Sequence, residues 1–226
     1  MKLKSIFITI ILILIIVISY IYFSLTPFNI SKYTIRGIDI SHYNDIYNWK
    51  LFSKGITFTF IKASEGSKTD DNKFNQNWEM AGRMKLTRGA YHFFSPQIPA
   101  EKQFEFFKSK VKLKAGDLPP VLDVEKANTN MNEVNKWLKL AEKHYGVKPI
   151  IYSDYVYFMT FMKGKVDEYP LWLVFNYKYK VIPHFFNYDC VFLQYNQAGK
   201  VNGINGDVDL DIFLGNRKEF NQLLIK

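Results

Sequence analysis

One cysteine, Cys190, stands in 226 residues. An internal disulfide is therefore excluded, and a domain exported to an oxidising compartment must stand on its core alone. In "YDCVFLQY" the thiol lies among strand-forming residues and reads as a small buried apolar side chain. Beyond Tyr33 there is no repeat of fixed period, no low-complexity tract and no Gly/Ser linker. That excludes a tandem array or domains on a flexible string, and leaves one domain. Charge is missing from 5–31, and 6–23 is almost wholly Ile, Leu, Val, Phe and Tyr. An apolar run of roughly 20 residues is the length that crosses a bilayer as a helix. Lys2 and Lys4 ahead of it favour a cytoplasmic N-terminus, with the remainder sent across the membrane. No small-x-small cleavage site follows, so the run reads as an uncleaved anchor in preference to a signal peptide, whose removal would make the protein secreted. The expected organisation is an anchor at 1–24, a short stem at 25–32 and a folded domain at 33–226, extracytoplasmic in either case.

What is present begins with an apolar fraction of 48% and an aromatic fraction of 17%, enough to fill one sizeable core. Lys and Arg number 30 against 21 Asp and Glu, a formal net charge of +9. The surplus suits contact with anionic polymers of a cell envelope. Nucleic acid is set aside as a partner, because the basic residues are scattered and no nucleic-acid motif accompanies them.

Strand-like runs recur at 34–41, 57–64, 88–94, 119–125, 149–153, 170–176, 190–195 and 207–211. Helical patterns lie between several of them. Asn130 caps a run in which Met131, Val134, Leu138, Ala141 and Tyr145 follow three- and four-residue steps to Gly146. Phe74, Trp78 and Ala81 form a second stripe, and Pro99 opens a third carrying Phe104, Phe107 and Val111. Strand and helix alternate through the first two thirds of the chain. After Asp167 the spacings are too short for full crossover helices, so later strands are expected to join by loops or antiparallel turns. The fold class is α/β: an irregular TIM-like barrel of eight strands with fewer than eight helices, preceded by the N-terminal transmembrane helix.

The run "PPVLDVEKA" ends a strand on two carboxylates. Side chains alternate along a strand, so Val121, Asp123 and Glu125 share one side. Ionised carboxylates held together repel, and burying them requires protonation, a partner or hydrogen bonds. In a barrel of this kind the site forms at the C-terminal strand ends. Those ends supply Asp39 from the first strand, Lys62 and Glu65 around the second, His92 from the third, and Asp123 with Glu125 from the fourth. Tyr152, Trp172, Asn176, Gln194, Tyr195 and Asp209 come from the rest. Taken singly, Glu65, Asn176 or Gln194 fits a solvated loop. Asp39, Asp123, Glu125 and Asp209 together do not, because acids from distant segments converge on one mouth. The spacing of Asp207, Asp209 and Asp211 lacks the glycine and distal glutamate of a calcium loop, so no metal is expected. No cofactor is needed either. Glycoside cleavage uses one protonated carboxyl and one ionised one, which mutual repulsion among close acids can arrange. Tyr91, Tyr152, Trp172 and Tyr195 offer faces on which sugars stack, with core packing the competing role.

The blocks "GIDISHY", "FTFIKASEG", "RGAYHFFSP", "LPPVLDVE", "PIIYS", "LWLVFNY", "FLQY" and "GINGDVDLDIF" occur in an order that resembles the glycoside hydrolase family 25 lysozymes, the Chalaropsis-type muramidases, over essentially 35–213. The resemblance implies an irregular eight-stranded barrel and hydrolysis of the β-1,4 bond between N-acetylmuramic acid and N-acetylglucosamine in peptidoglycan. It places Glu125 at the catalytic acid, Asp123 at its partner, Asp39 at the first-strand aspartate and Asp209 at the last-strand aspartate. Glu65, Tyr91, His92, Tyr152, Trp172, Gln194 and Tyr195 are the substrate-binding candidates. Two positions depart from the family pattern: Tyr43 stands where many members carry Trp, and Phe175 where a small residue is usual.

Residues i and i+2 of a strand are about 6.6 Å apart at the backbone, a spacing compatible with either a retaining or an inverting pair once side chains are added. The D-x-E also looks like that of substrate-assisted glycosidases, in which the sugar's own N-acetyl group is the nucleophile and Glu125 serves as acid, then base. Peptidoglycan strands are the expected partner, and a monomer the expected state. Two other readings stay open: a catalytically silent glycan-binding module, and a chitinase-like hydrolase of another N-acetylated glycan.

Overall fold

The computed structural model describes residues 2–25, 30–175 and 190–226, with the side chains of its first helix described over 7–19. Eight strands close into a barrel: β1 (Arg36–Ile40), β2 (Phe58–Glu65), β3 (Thr87–Phe93), β4 (Val121–Asp123), β5 (Ile150–Asp154), β6 (Leu171–Val174), β7 (Cys190–Gly199) and β8 (Val208–Phe213). From β1 to β7 each strand runs parallel to the next. The last strand, β8, is antiparallel to both β7 and β1 and closes the ring. Every expected strand is present, and the expected antiparallel ending is this one reversal. The expected strand 170–176 ends at Val174, and Asn176 lies outside the described residues.

Among the described residues seven α-helices accompany the barrel: α1 (Lys2–Leu25), α2 (Trp49–Phe52), α3 (Phe74–Arg83), α4 (Ala100–Lys110), α5 (Met131–Tyr145), α6 (Tyr155–Tyr157) and α7 (Arg217–Leu223). For α5 the sequence dictates both ends. The Asn130 side chain accepts from the Asn132 N–H at 2.9 Å, and Gly146 closes the helix in the left-handed region at φ 71°. Among the described residues no helix is long and apolar enough to cross a membrane, so the span expected over 6–23 finds no support there.

Alternation along the strands sorts the core into two layers. Outward-facing Ile38, Ile40, Ile61, Ala63, Ala90, Leu122 and Ile151 pack under the helices against Phe74, Phe104, Phe107, Val134, Trp137 and Leu138. Inward-facing Phe58, Phe60, Val121, Ile150, Trp172, Phe192 and Phe213 fill the barrel, with Phe220 of α7 packed against them. Phe60 stacks on Trp172 at 4.3 Å between ring centroids. The interior beneath the strand ends is thus solid, and the polar groups that reach solvent gather above it. Gly37 admits no side chain, because a Cβ there would lie 2.3 Å from the Phe58 ring.

Candidate active site

Above the aromatic fill, the strand ends open a cleft of about 300 Å³ lined by Asp39, Tyr91, Asp123, Glu125, Tyr152, Trp172 and Asp209, with Ser41, Tyr43, Asn44, Lys62, Phe93 and Gln197 around them. The four acids expected at one mouth therefore share one cavity. Register explains it: Asp39 of β1 is paired directly with Asp209 of β8, and Phe93 of β3 with Asp123 of β4. Since β8 is antiparallel, it contributes the beginning of its strand where the other strands contribute their ends.

Each acid is held so that its proton is hard to remove. Asp39 is buried, and burial followed by the charge of Asp209 raises its proton affinity well above the carboxylate norm, against hydrogen bonds from Gln194 and Asp211. Gln194 Nε2 donates to Asp39 Oδ2 at 2.7 Å, and the amide is oriented by Tyr152, whose hydroxyl donates to Gln194 Oε1 at 3.0 Å. Asp123 is buried with its Oδ1 unpartnered among the described residues. Burial and then Glu125 push its affinity up, while Lys62 opposes. Glu125 has an open surface, but its carboxyl is crowded by the cleft walls; loss of water, then Asp154 and Asp209, raise it, and Lys62 works the other way. Burial lifts Asp209 to about 6. The cluster titrates jointly, so its protons belong to the group of acids and not to single residues. Among the described residues no group of His, Cys, Asp or Glu could hold a metal ion.

Several expected binding residues lie elsewhere. Tyr91 and His92 are adjacent on β3, so alternation sends them to opposite faces. Tyr91 lines the cleft, while His92 points under the helices, buried, with Ser64 Oγ 2.8 Å from Nδ1 and Gln103 Oε1 3.2 Å from Nε2. Burial lowers its pKa to about 4, so at neutral pH it is an uncharged core side chain. The same rule corrects β7: Gln194 faces inward as the support of Asp39, and Tyr195 packs outward with Phe175, Leu193 and Ile212. Phe175 therefore does not shape the cleft. Glu65 leaves the cleft lining to pair with Lys62 at 3.1 Å and Lys126 at 3.0 Å, and those ammonium groups outweigh its burial and lower its pKa. Cys190 is partly buried, and burial pushes its thiol up to about 12.

Other contributors were not among the expected site residues, although Lys62 and Tyr43 stand at or near strand ends. Lys62, brought to the mouth by β2, is the cation facing Asp123 and Glu125. Tyr43, 83% exposed, leans on the His42 ring at 3.9 Å, and His42 is pinned by Asp71 through Nδ1 at 2.7 Å and the backbone N–H at 2.8 Å. Asp154 caps the turn of α6 and adds negative charge near Glu125. The signal for Tyr43 was its place two residues after the strand end, in a loop carrying the aromatic of "SHY".

The raised affinity of Asp209 has a stability consequence with a definite sign. A carboxyl whose folded pKa exceeds its unfolded value contributes stability below the unfolded value, and that contribution is lost as pH rises through the folded one. Asp209→Asn is therefore expected to be more stable than the wild type at pH 7. The difference should shrink as pH falls through about 6 and vanish below about 4. Urea denaturation at pH 7 and pH 4 checks it; equal stability at pH 7 would show the site to be unstrained.

A closed barrel whose strand-end cleft holds four interacting carboxyls between aromatic walls has the construction of a glycoside hydrolase. The family model of the glycosyl hydrolases family 25 matches residues 38–204, and the chain belongs to that family. A family 25 glycosyl hydrolase from Bacillus anthracis superposes with a TM-score of 0.78 at 31% identity, covering 87% of this chain and 96% of that one. The uncharacterized protein YegX of Escherichia coli K12 is 39% identical over 200 residues, 84% of this chain and 73% of its own length. Lysozyme M1 of Streptomyces globisporus is 29% identical over 201 residues, 80% of this chain and 68% of its own.

Proposed function

We propose that the chain is a lysozyme: an N-acetylmuramidase that hydrolyses the β-1,4 bond between N-acetylmuramic acid and N-acetylglucosamine in peptidoglycan. Four carboxyls in one cleft carry the reading. Glu125, open to the cleft, with its proton affinity raised by loss of water and then by Asp154 and Asp209, donates to the leaving oxygen and later takes a proton from water. Asp123 keeps a buried oxygen free of any protein donor among the described residues, and the N–H of the substrate's acetamido group is the donor that fits it. So oriented, the acetamido oxygen attacks the anomeric carbon. Asp39 and Asp209 line the opposite wall and stabilise positive charge as it develops on the ring. Tyr91, Tyr152 and Trp172 form the sugar-facing walls. A zymogram with embedded peptidoglycan beside one with chitin tests the class. Clearing of peptidoglycan alone is expected, clearing of chitin would support the chitinase-like reading, and no clearing of either would support a silent binding module.

The mechanism predicts that the first-formed reducing end keeps the β configuration. Proton NMR during early turnover reads it, and an α anomer would mean direct attack by a water held between the acids.

We also infer that α1 anchors the domain on the outer side of a membrane, joined by the stem at 25–32. The helix has 24 residues, and its described large apolar side chains from Phe7 to Ile18 are exposed. The basic surplus favours the anionic polymers there. An anchored protein resists extraction by high salt and is released by detergent; a soluble form starting after Ser24 would contradict the anchor.

A further inference from the structure

Asp211 is an acid that the proposed chemistry does not use. It is fully buried, absent from the cleft lining, and one inward-facing position deeper along β8 than Asp209. Its direct neighbour across the β1–β8 seam is Gly37, which carries no side chain; its diagonal neighbour on the same face is Asp39. The two carboxyls lie within hydrogen-bonding reach of each other. Two ionised carboxylates in a dry layer between Trp172 and the aromatic fill would be strongly unfavourable, so one must carry a proton.

The donors around the pair decide which. Asp39 Oδ2 already accepts from Gln194. On Asp211, Oδ1 accepts from the Trp172 indole N–H at 2.9 Å; an indole nitrogen only donates, and the carbonyl oxygen is the better acceptor for it, which favours the proton on Oδ2. Oδ2 of Asp211 is buried with no donor among the described residues. A neutral carboxylic acid resolves both facts, since its O–H is then the donor and Asp39 the acceptor. We propose that Asp211 is a permanently protonated positioning residue that donates from Oδ2 to Asp39, holding Asp39 as an oriented anion beneath the substrate. Gln194 and Asp211, as two donors, favour the ionised form of Asp39 and oppose the burial and the Asp209 charge that draw a proton to it.

This role rests on the muramidase reading for its kinetic consequence, but the protonation state does not. The other titratable group facing Asp211 is Asp209 on its own strand; Tyr195, on the outer face of β7 and bonded to Arg36 of β1, feels its charge only across the sheet. Infrared difference spectra of wild type against Asp211→Asn at pH 7 are expected to lose a protonated-carboxyl carbonyl band and no carboxylate band. Loss of a carboxylate band would overturn the proposal whether or not the protein cleaves peptidoglycan. Asp211→Leu, which has no donor, is expected to lower kcat by about tenfold or more with KM nearly unchanged, and to move the acidic limb of the pH profile upward. Asp211→Asn keeps an N–H donor for Asp39 and a carbonyl for Trp172, so it should restore most of the rate and the original limb. Should Asp211→Leu fail to fold, the Asn variant still decides: a rate as low as that of a donorless site, or a displaced acidic limb, would show that the acid's charge and not its proton is what matters.

Discussion

Glu125→Gln is expected to bind peptidoglycan and unfold at the same denaturant concentration as the wild type, yet turn over about 10²- to 10⁴-fold more slowly. The amide has the same shape and lies at an open position beyond the end of β4, so no core contact is disturbed. It cannot give a proton to the leaving oxygen, and it removes one of the like charges that raise Asp123. Turnover rates on soluble peptidoglycan fragments, beside a pull-down on insoluble wall, separate the two effects. Near-normal turnover would remove Glu125 from the role of acid.

The largest loss of stability is expected at Trp137→Ala, far from the cleft. Trp137 is fully buried on α5, parallel to the His92 ring at 5.8 Å, and packed on Phe104 at 5.7 Å and Phe107 at 5.4 Å between centroids. Truncating a buried Trp in such a layer costs about 3–5 kcal/mol, the sum of lost burial and the cavity left behind. The cavity also admits water beside His92, whose pKa of about 4 depends on being dry. A histidine depressed in the folded state stabilises above its unfolded pKa, and that stability is lost as pH falls toward the folded one. The wild type should therefore weaken from this source between about pH 6.5 and 4, and the variant less so. Urea midpoints across that range measure both effects, and a loss under about 1 kcal/mol at pH 7 would mean that the helix layer closes over the gap.

The barrel was legible because its inward and outward faces are written in strand alternation, and because Asn130 and Gly146 mark the ends of the longest helix outside α1. The acid cluster was legible for the same reason, with Asp123 and Glu125 on one face of one strand end. Errors came where strand position was read without its parity. His92 and Tyr195 are each adjacent to an inward-facing residue, so neither can share that residue's cavity. Glu65 was misread because the lysines that draw it aside, Lys62 and Lys126, are far apart in sequence. The helix α7 was missed although Asn216 and Glu219 form a reciprocal cap. Asp211 was passed over within "DVDLD" because nothing local shows that Trp172, 39 residues away, occupies one of its oxygens.

The most direct measurement is the identity of the new reducing end. Purified peptidoglycan digested by the protein and reduced with borohydride should yield fragments ending in muramitol when analysed by mass spectrometry, since the bond cut follows N-acetylmuramic acid. Fragments ending in glucosaminitol, with no muramitol, would contradict the account.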